Sequence, residues 1–370
     1  MATTPAPERP PAGDTVSLPL RAAGSAEGRP RRRPPTLVRH LGVAVLFAVL
    51  LMLASAKLSA YRDYQLAELA AFVVAVAGLT VLIGLSGQIS IGNGAFMAVG
   101  GYTGALLFLH LQWPLVAIVL AATAAAAVSG AVFGFAAARL RGPYLAGATL
   151  MLAVALPSLA TRFQSVFGGD QGLGFYVNVP GFLGVNFSLS EWQAWFNCGI
   201  ALIALVLLAN LIRSRVGRNW RALRDDEVAA SLSGLNVARL QVVAFVVSAA
   251  CAGAGGVLLA VVDGTVSASV FALGLSIQLL TAAVLGGLGT LTGAVWGSAL
   301  LVLVPTYLEN VAQSHGMTQG TSSSVPIVAY GVVLIAVMLL FPSGIQGGLL
   351  RLIALGRRRP ARNQQEKGSS

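Results

Sequence analysis

The sequence predicts an all-α fold, a polytopic helical membrane protein of about ten spans with glycine-interrupted segments and an internal inverted repeat. Three observations predict it. Of 370 residues, 56% are hydrophobic and 10% charged, with a mean hydropathy of +0.78. That is more apolar side chain than a soluble core of this length needs. Apolar runs of about 20 residues, the length that crosses ~30 Å of hydrocarbon as a helix, recur along the chain. The basic residues, finally, fall in alternate loops.

The runs are 37–56, 66–86, 95–110, 114–138, 145–162, 196–212, 241–262, 271–287, 291–305 and 325–341. The third, eighth and ninth are short or glycine-rich, so the number of full crossings is open by one or two. Lys and Arg are retained on the cytoplasmic side during insertion. With the N-terminus inside, that side holds seven arginines from Arg9 to Arg39, then Arg139 and Arg141. It also holds five arginines in 213–224, Arg239, and six basic residues after 350. Only Lys57, Arg62 and Arg162 fall on the other face. Both termini are therefore expected in the cytoplasm, and the net charge of +11 reports topology rather than nucleic-acid binding.

Residues 1–36, rich in Pro, Gly and Arg, read as a disordered basic cytoplasmic tail; 37–348 as the transmembrane domain, with a cytoplasmic loop at 213–240; and 349–370 as a second basic cytoplasmic tail. Ala54-Ser55-Ala56 resembles a signal-peptide cleavage site, but the long preceding region and the near-span length of 37–56 favour retention. Cys198 and Cys251 sit in apolar runs as packing residues. His40, His110 and His315 are scattered, so no metal site is expected.

Two stretches depart from continuous apolar helix. The first is 84–104, GLSGQISIGNGAFMAVGGYTG, with seven glycines and the polar Ser86, Gln88, Ser90 and Asn93. Glycine costs a helix interior about 1 kcal/mol relative to alanine, so an interrupted helix or re-entrant turn is expected. Irregular backbone at membrane depth survives only where it is buried in protein or lines a wet cavity. The second is 285–297, LGGLGTLTGAVWG, placed similarly in the C-terminal half. Paired breaks of this kind point to a pathway at a repeat interface. Gly87, Gln88, Ser90, Asn93 and Gly94 are its candidates in the first break, and Gly286, Gly287 and Gly289 in the second. The alternative for any single glycine is close helix packing, with Gly100 and Gly104 or Gly130 and Gly134 as small-xxx-small pairs.

The loop 213–240, RSRVGRNWRALRDDEVAASLSGLNVARL, reads as an amphipathic helix from Asn219. Trp220, Leu223, Val228 and Leu232 share one broad face, and Arg221, Arg224 and Asp225 lie off it. Gly234 supplies its stop. Too polar to insert, such a helix is shaped to dock into a groove on another protein. Lying on lipid headgroups is the alternative, which the acidic Asp225, Asp226 and Glu227 oppose.

At this loop the chain resembles the permease subunits of branched-chain amino-acid ABC importers, the LivM type. The resemblance runs from GLSGQISIGNGAFMAVGGYTGALL through RGPYLAGATL (141–150), FGGDQGLG (167–174) and WRALRDDEVAASLSGLNVARLQVVAFVVSAACAGAGGVLLA. It continues through LTAAVLGGLGTLTGAVWGSALL to YGVVLIAVMLLFPSGIQG, covering most of 75–348 in the family's order. It implies a transmembrane permease domain in a bacterial cytoplasmic (inner) membrane, surrounded by lipid. The implied partners are a second homologous permease, two ATP-binding subunits and an extracytoplasmic solute-binding protein, with no nucleic acid. It also implies no cofactor on this chain, ATP and Mg being used by the partner subunits. The loop would be the coupling helix, with Arg221, Arg224, Asp225, Asp226 and Glu227 fixing its orientation in the ATPase, Ala230 permitting close approach and Gly234 the turn. Thr149, in the fifth span, joins the pathway candidates.

Two departures bear on cargo. Asn93 and Gly94 stand where the family commonly has a histidine motif, and Val154 where a Glu or Gln often follows the Thr-Leu of the fifth span. Both remove titratable or polar groups, which leaves branched-chain and other amino acids, amides, urea or a small sugar as candidates. A nucleotide site on this chain is excluded, because Lys57 and Lys367 are the only lysines and neither follows a Walker glycine. An ion-coupled secondary transporter would carry ionisable groups within its spans, yet Glu68, Asp263 and Glu309 lie near span ends. A passive channel would leave the docking loop without a purpose.

Overall fold

The computed structural model describes residues 59–140, 143–179, 188–314 and isolated positions between 328 and 348. The expected span 37–56, most of 325–341, both tails and residues 54–56 lie outside the described residues. In chain order the helices are α1 Ala60–Ser86, α2 Asn93–Leu111, α3 Leu115–Ala137, α4 Pro143–Arg162 and the one-turn α5 Gln164–Phe167. They continue as α6 Leu189–Arg213, α7 Arg215–Asp225, α8 Glu227–Leu232, α9 Val237–Asp263, α10 Leu273–Gly286 and α11 Leu291–Ser314. Among the described residues, α1, α2, α3, α4, α6, α9 and α11 are long and apolar enough to cross a membrane, and α10 is a shorter apolar helix. These eight correspond to the eight expected runs between 66–86 and 291–305. The protein is a polytopic helical membrane protein. Two strands of two residues, β1 Leu173–Gly174 and β2 Thr265–Val266, pair antiparallel and add a small non-helical clip to the expected all-α fold.

α9 is the hub, packed on α3, α1 and α2, while α1 also packs on α6 and α11. Lipid tails are as apolar as leucine, so helices in a bilayer associate through close van der Waals contact and interhelical hydrogen bonds. Small residues make that contact possible here. A Cβ on Gly100 would stand 2.1 Å from the Gly253 carbonyl oxygen, and one on Gly130 2.3 Å from the Ala249 Cβ. Gly104 and Gly134 likewise meet α9, at Val257 and Phe245. Both small-xxx-small pairs therefore lie in the α9 interface. Cys251 packs its Cβ against Gly78, and both Cys198 and Cys251 are free thiols.

Polar side chains within the apolar spans act as crosslinks. Asn197 of α6 donates to the carbonyls of Ala67 in α1 and Leu258 in α9, both at 3.0 Å. Where α1 begins and α9 ends, Tyr64 donates to Asp263 at 3.1 Å. This end is called the far end below, and the end carrying the 213–240 loop the loop end. Trp192, at the far end, is buried and stacked on Phe196 with ring centroids 5.5 Å apart, so it packs inside the bundle instead of facing headgroups.

Candidate functional site: a re-entrant break and a two-helix loop

α1 ends at the loop end, where Gly87 takes a left-handed φ of 74° and its N–H donates to the Leu82 carbonyl. Residues 87–92 then run without helix or strand until α2 begins at Asn93. That start lies well inside the bundle. The Asn93 Nδ2 donates to the Ala75 carbonyl at 3.3 Å, and Ala75 precedes the end of α1 by eleven residues. At 1.5 Å per helical residue the chain has turned back by about 16 Å. Ser248, which donates to the Asn93 Oδ1 at 3.1 Å, lies the same eleven residues into α9. The glycine-rich stretch is thus a re-entrant segment, and α2 brings its N-terminus and the partial positive charge there into the interior.

Non-helical backbone at this depth must find its hydrogen bonds within the protein. The Ile91 N–H donates to Thr149 Oγ1 at 3.0 Å, and the Gly94 N–H to Ser276 Oγ at 3.1 Å. The Gly92 carbonyl accepts from Ala95 and Phe96, and the Gly92 N–H reaches Ser90 Oγ at 3.4 Å. Gly92 is required by space, since a Cβ there would stand 2.8 Å from the Thr149 carbonyl oxygen. Ser90, Asn93, Gly94 and Thr149 therefore gather in one buried polar belt with Ser248 and Ser276. The last two had no motif to announce them. Their only signal in the sequence is a lone hydroxyl in an apolar run.

Gly87 and Gln88 remain at the loop end. Gln88 Nε2 donates to Ser86 Oγ at 3.0 Å and to the Gln241 carbonyl at 3.4 Å, and its buried Oε1 has no hydrogen-bond partner among the described residues. The second break is also there. α10 stops at Gly286, and Gly287 and Gly289 take φ of 118° and 83°. A Cβ on Gly84 would stand 2.0 Å from the Gly289 nitrogen, and one on Gly344 2.7 Å from the Gly287 Cα. The two breaks thus meet at the last turn of α1, not at the belt. Val154 is 47% exposed on a face of α4 that also carries exposed Tyr144 and Met151, so the fifth-span departure lies outside the packed interior.

The 213–240 loop is two helices instead of one. α7 ends at Asp225, Asp226 is extended (φ −157°, ψ 111°), and its Oδ1 accepts the N–H groups of Val228 (2.8 Å) and Ala229 (3.0 Å) to cap α8. An Asp side chain satisfying N2 and N3 donors is a standard helix start, and it resets the helical phase. The four apolar residues consequently do not share a face. Trp220 and Leu223 are buried against the bundle, while Val228 and Leu232 are 68% and 84% exposed. Trp220 Nε1 donates to the Leu240 carbonyl at 2.9 Å.

The candidate residues of the loop divide accordingly. Arg221 donates to the Ile212 carbonyl at 3.1 Å, and Arg224 to the Gly84 carbonyl. Ala230 is buried. Gly234 turns the chain with φ of 83°. Asp225, Asp226 and Glu227 line a cleft of about 270 Å³ with Gln88, Arg224 and Gln241.

Comparison with known proteins finds one family. Residues 61–342 fit the family model described as the branched-chain amino acid transport system permease component. The high-affinity branched-chain amino acid transport system permease protein LivM of Salmonella typhimurium is 33% identical over 255 residues, 63% of this chain and 60% of the relative, and LivM of Escherichia coli K12 gives the same figures. The chain thus spans less than two thirds of the length of these LivM relatives. The permease protein LivH of Escherichia coli K12 is 29% identical over 290 residues, 73% of this chain and 89% of the relative. No solved structure matches. With three quarters of its length inside one family model, and that model spanning both breaks and the loop, the chain belongs to the branched-chain amino acid transport system permease family.

Proposed function

We propose that this chain is the transmembrane permease subunit of an ATP-binding-cassette importer in a bacterial cytoplasmic membrane. Its cargo is a small solute of the branched-chain or another amino-acid class. A second homologous permease completes the membrane unit; the similarity to both LivM and LivH relatives supports such pairing. Two ATP-binding subunits use ATP and Mg, and an extracytoplasmic binding protein delivers cargo.

The observation that carries this reading is α8. It projects exposed Val228 and Leu232 from a loop whose other half is anchored by buried Trp220. Six residues cannot cross a bilayer, but a short helix with an apolar ridge fits a groove on a partner protein. The excess of arginine supports a cytoplasmic loop end, the side on which ATP is hydrolysed. Closure of the ATPase pair would push α8 and, through α7, the loop ends of the spans. The belt of Ser90, Asn93, Gly94 and Thr149 lines the route at half depth, and Gly286, Gly287 and Gly289 with Gly87 and Gln88 form its inner mouth. A neutral belt suits weak binding, with selection made by the upstream binding protein.

The test is reconstitution of the chain with its partner subunits in liposomes, measuring ATP hydrolysis and uptake with leucine, polar amino acids and urea. Leucine-dependent stimulation is expected. Replacing Glu227→Lys should abolish coupled stimulation while the permease still inserts, and undiminished uptake in that variant removes α8 from the coupling role.

A further inference from the structure

We infer that Arg224 is a positioning residue that ties the docking loop to the meeting point of the two breaks, so that movement of α8 reaches the inner mouth through one guanidinium. The inference rests on the coupling role proposed for the loop. It starts from an unmet need of α1. The last four carbonyls of any helix lack intrahelical donors and carry its partial negative charge. α1 has no basic residue in its last turn, and its glycine cap serves only the Leu82 carbonyl. The Gly84 carbonyl is one of the four left over. The Arg224 Nη1 donates to it.

The surroundings make this more than a surface cap. The Arg224 stem lies over Gly87, with its Cγ 3.4 Å from where a Cβ on Gly87 would stand. On its other side Gly84 abuts Gly289, and the turn of Gly289 continues through Gly287 to Gly344. Gly84 is therefore the point where the end of α1, the second break and the docking loop touch.

Arg221, three residues earlier on α7, donates to the Ile212 carbonyl in the last turn of α6. Two arginines at i and i+3 on one helix face thus cap the loop ends of two spans that pack on each other. α7 is a crossbar with two cationic feet, and buried Trp220 seats it on α9 through its bond to Leu240. Only the Arg224 foot stands on a break. The extended joint at Asp226 separates the seated α7 from the projecting α8, so a push on α8 arrives at α7 as a displacement of Arg224 relative to Gly84.

The experiment uses the chain co-expressed with its permease and ATPase partners. Arg224→Gln and Arg224→Met remove the cationic donor, Met keeping the stem over Gly87; Arg224→Lys keeps a cationic donor. In both deletions, membrane insertion and ATPase co-purification are expected to stay at wild-type level while solute moved per ATP falls by about tenfold. Arg224→Lys recovers a large part of that loss. A second readout is independent of transport: amide hydrogen exchange across 84–92 in the solubilised chain accelerates by about tenfold in the Gln and Met variants but not in the Lys variant.

Wild-type transport per ATP in the deletions overturns the proposal. Lost ATPase co-purification also overturns it, by making Arg224 a docking contact. So does failure of both deletions to insert, which would make the contact a folding requirement. If the wild-type complex shows no ATP-driven uptake, the importer reading fails instead, and the exchange measurement still decides whether Arg224 holds the inner mouth.

Discussion

Asn93 and Ala75 are joined by a hydrogen bond of 3.3 Å from the side-chain amide to the backbone carbonyl, and that bond fixes where the re-entrant segment becomes a helix. A helical carbonyl has a second lone pair, so Ala75 accepts it without giving up its place in α1. The amide oxygen of Asn93 accepts in turn from Ser248. One neutral side chain thus pins the start of α2 to α1 and α9 within the buried interior.

Asn93→Leu should therefore lower stability by about 1–3 kcal/mol, the range for leaving buried partners unpaired. Asn93→Asp should be worse, because it replaces the donor facing the Ala75 carbonyl with a second acceptor. Ser248→Ala removes one bond and should cost about 1 kcal/mol. Thermal unfolding of the detergent-solubilised chain orders the three. Asp as stable as Asn would show that the amide does not face Ala75.

Glycine positions should split into two groups. A Cβ on Gly100 meets the Gly253 carbonyl oxygen at 2.1 Å, so Gly100→Ala must separate α2 from α9 at a cost of about 1–3 kcal/mol. Nothing lies within 4 Å of a Cβ at Gly199 in α6, where alanine should instead stabilise by about 0.5–1 kcal/mol through helix propensity. Unfolding midpoints moving in opposite directions would bear out the packing of α9.

The difference between those glycines was not legible in the sequence. Both sit in apolar runs, and only the neighbouring helix decides which has room. The spans were legible because bilayer thickness imposes a length and a composition on each helix separately, whatever its neighbours. The break at 87–92 was legible for the same local reason, its glycine density. Its depth was not, because the partners of Asn93 and Gly94 are a backbone carbonyl and two serines 155 and 182 residues away in sequence. A 3.6-residue period carried straight through Asp226 predicts one helix where the loop forms two. The signal against it was present, an Asp followed by Glu227 and a fresh apolar set, which is how a helix starts.

Trp220 anchors the loop by burial and by its bond to Leu240. Trp220→Phe should keep most of the packing and lose about 1 kcal/mol, whereas Trp220→Ala should cost about 3–5 kcal/mol. The loss is local, so the spans should stay folded while limited proteolysis cuts within 213–240 in the alanine variant. Resistance equal to wild type would mean the loop is held elsewhere.

Val228 and Leu232 are the converse case. They are exposed, so Val228→Ser and Leu232→Ser should leave the unfolding midpoint of the isolated chain within the ±0.5 kcal/mol typical of surface changes. If α8 enters an ATPase groove, the same substitutions uncover apolar area in that groove and should weaken co-purification of the ATPase subunits. Asp226→Ala makes a third, separable case. It removes the cap from Val228 and Ala229, a loss of about 1 kcal/mol, and frays a six-residue helix that has little else to hold it. ATPase binding should then fall although both ridge residues are intact. Weakened binding in the two serine variants with wild-type binding in Asp226→Ala would show that the ridge works without a formed helix; equal loss in all three would show that α8 docks as a preformed unit.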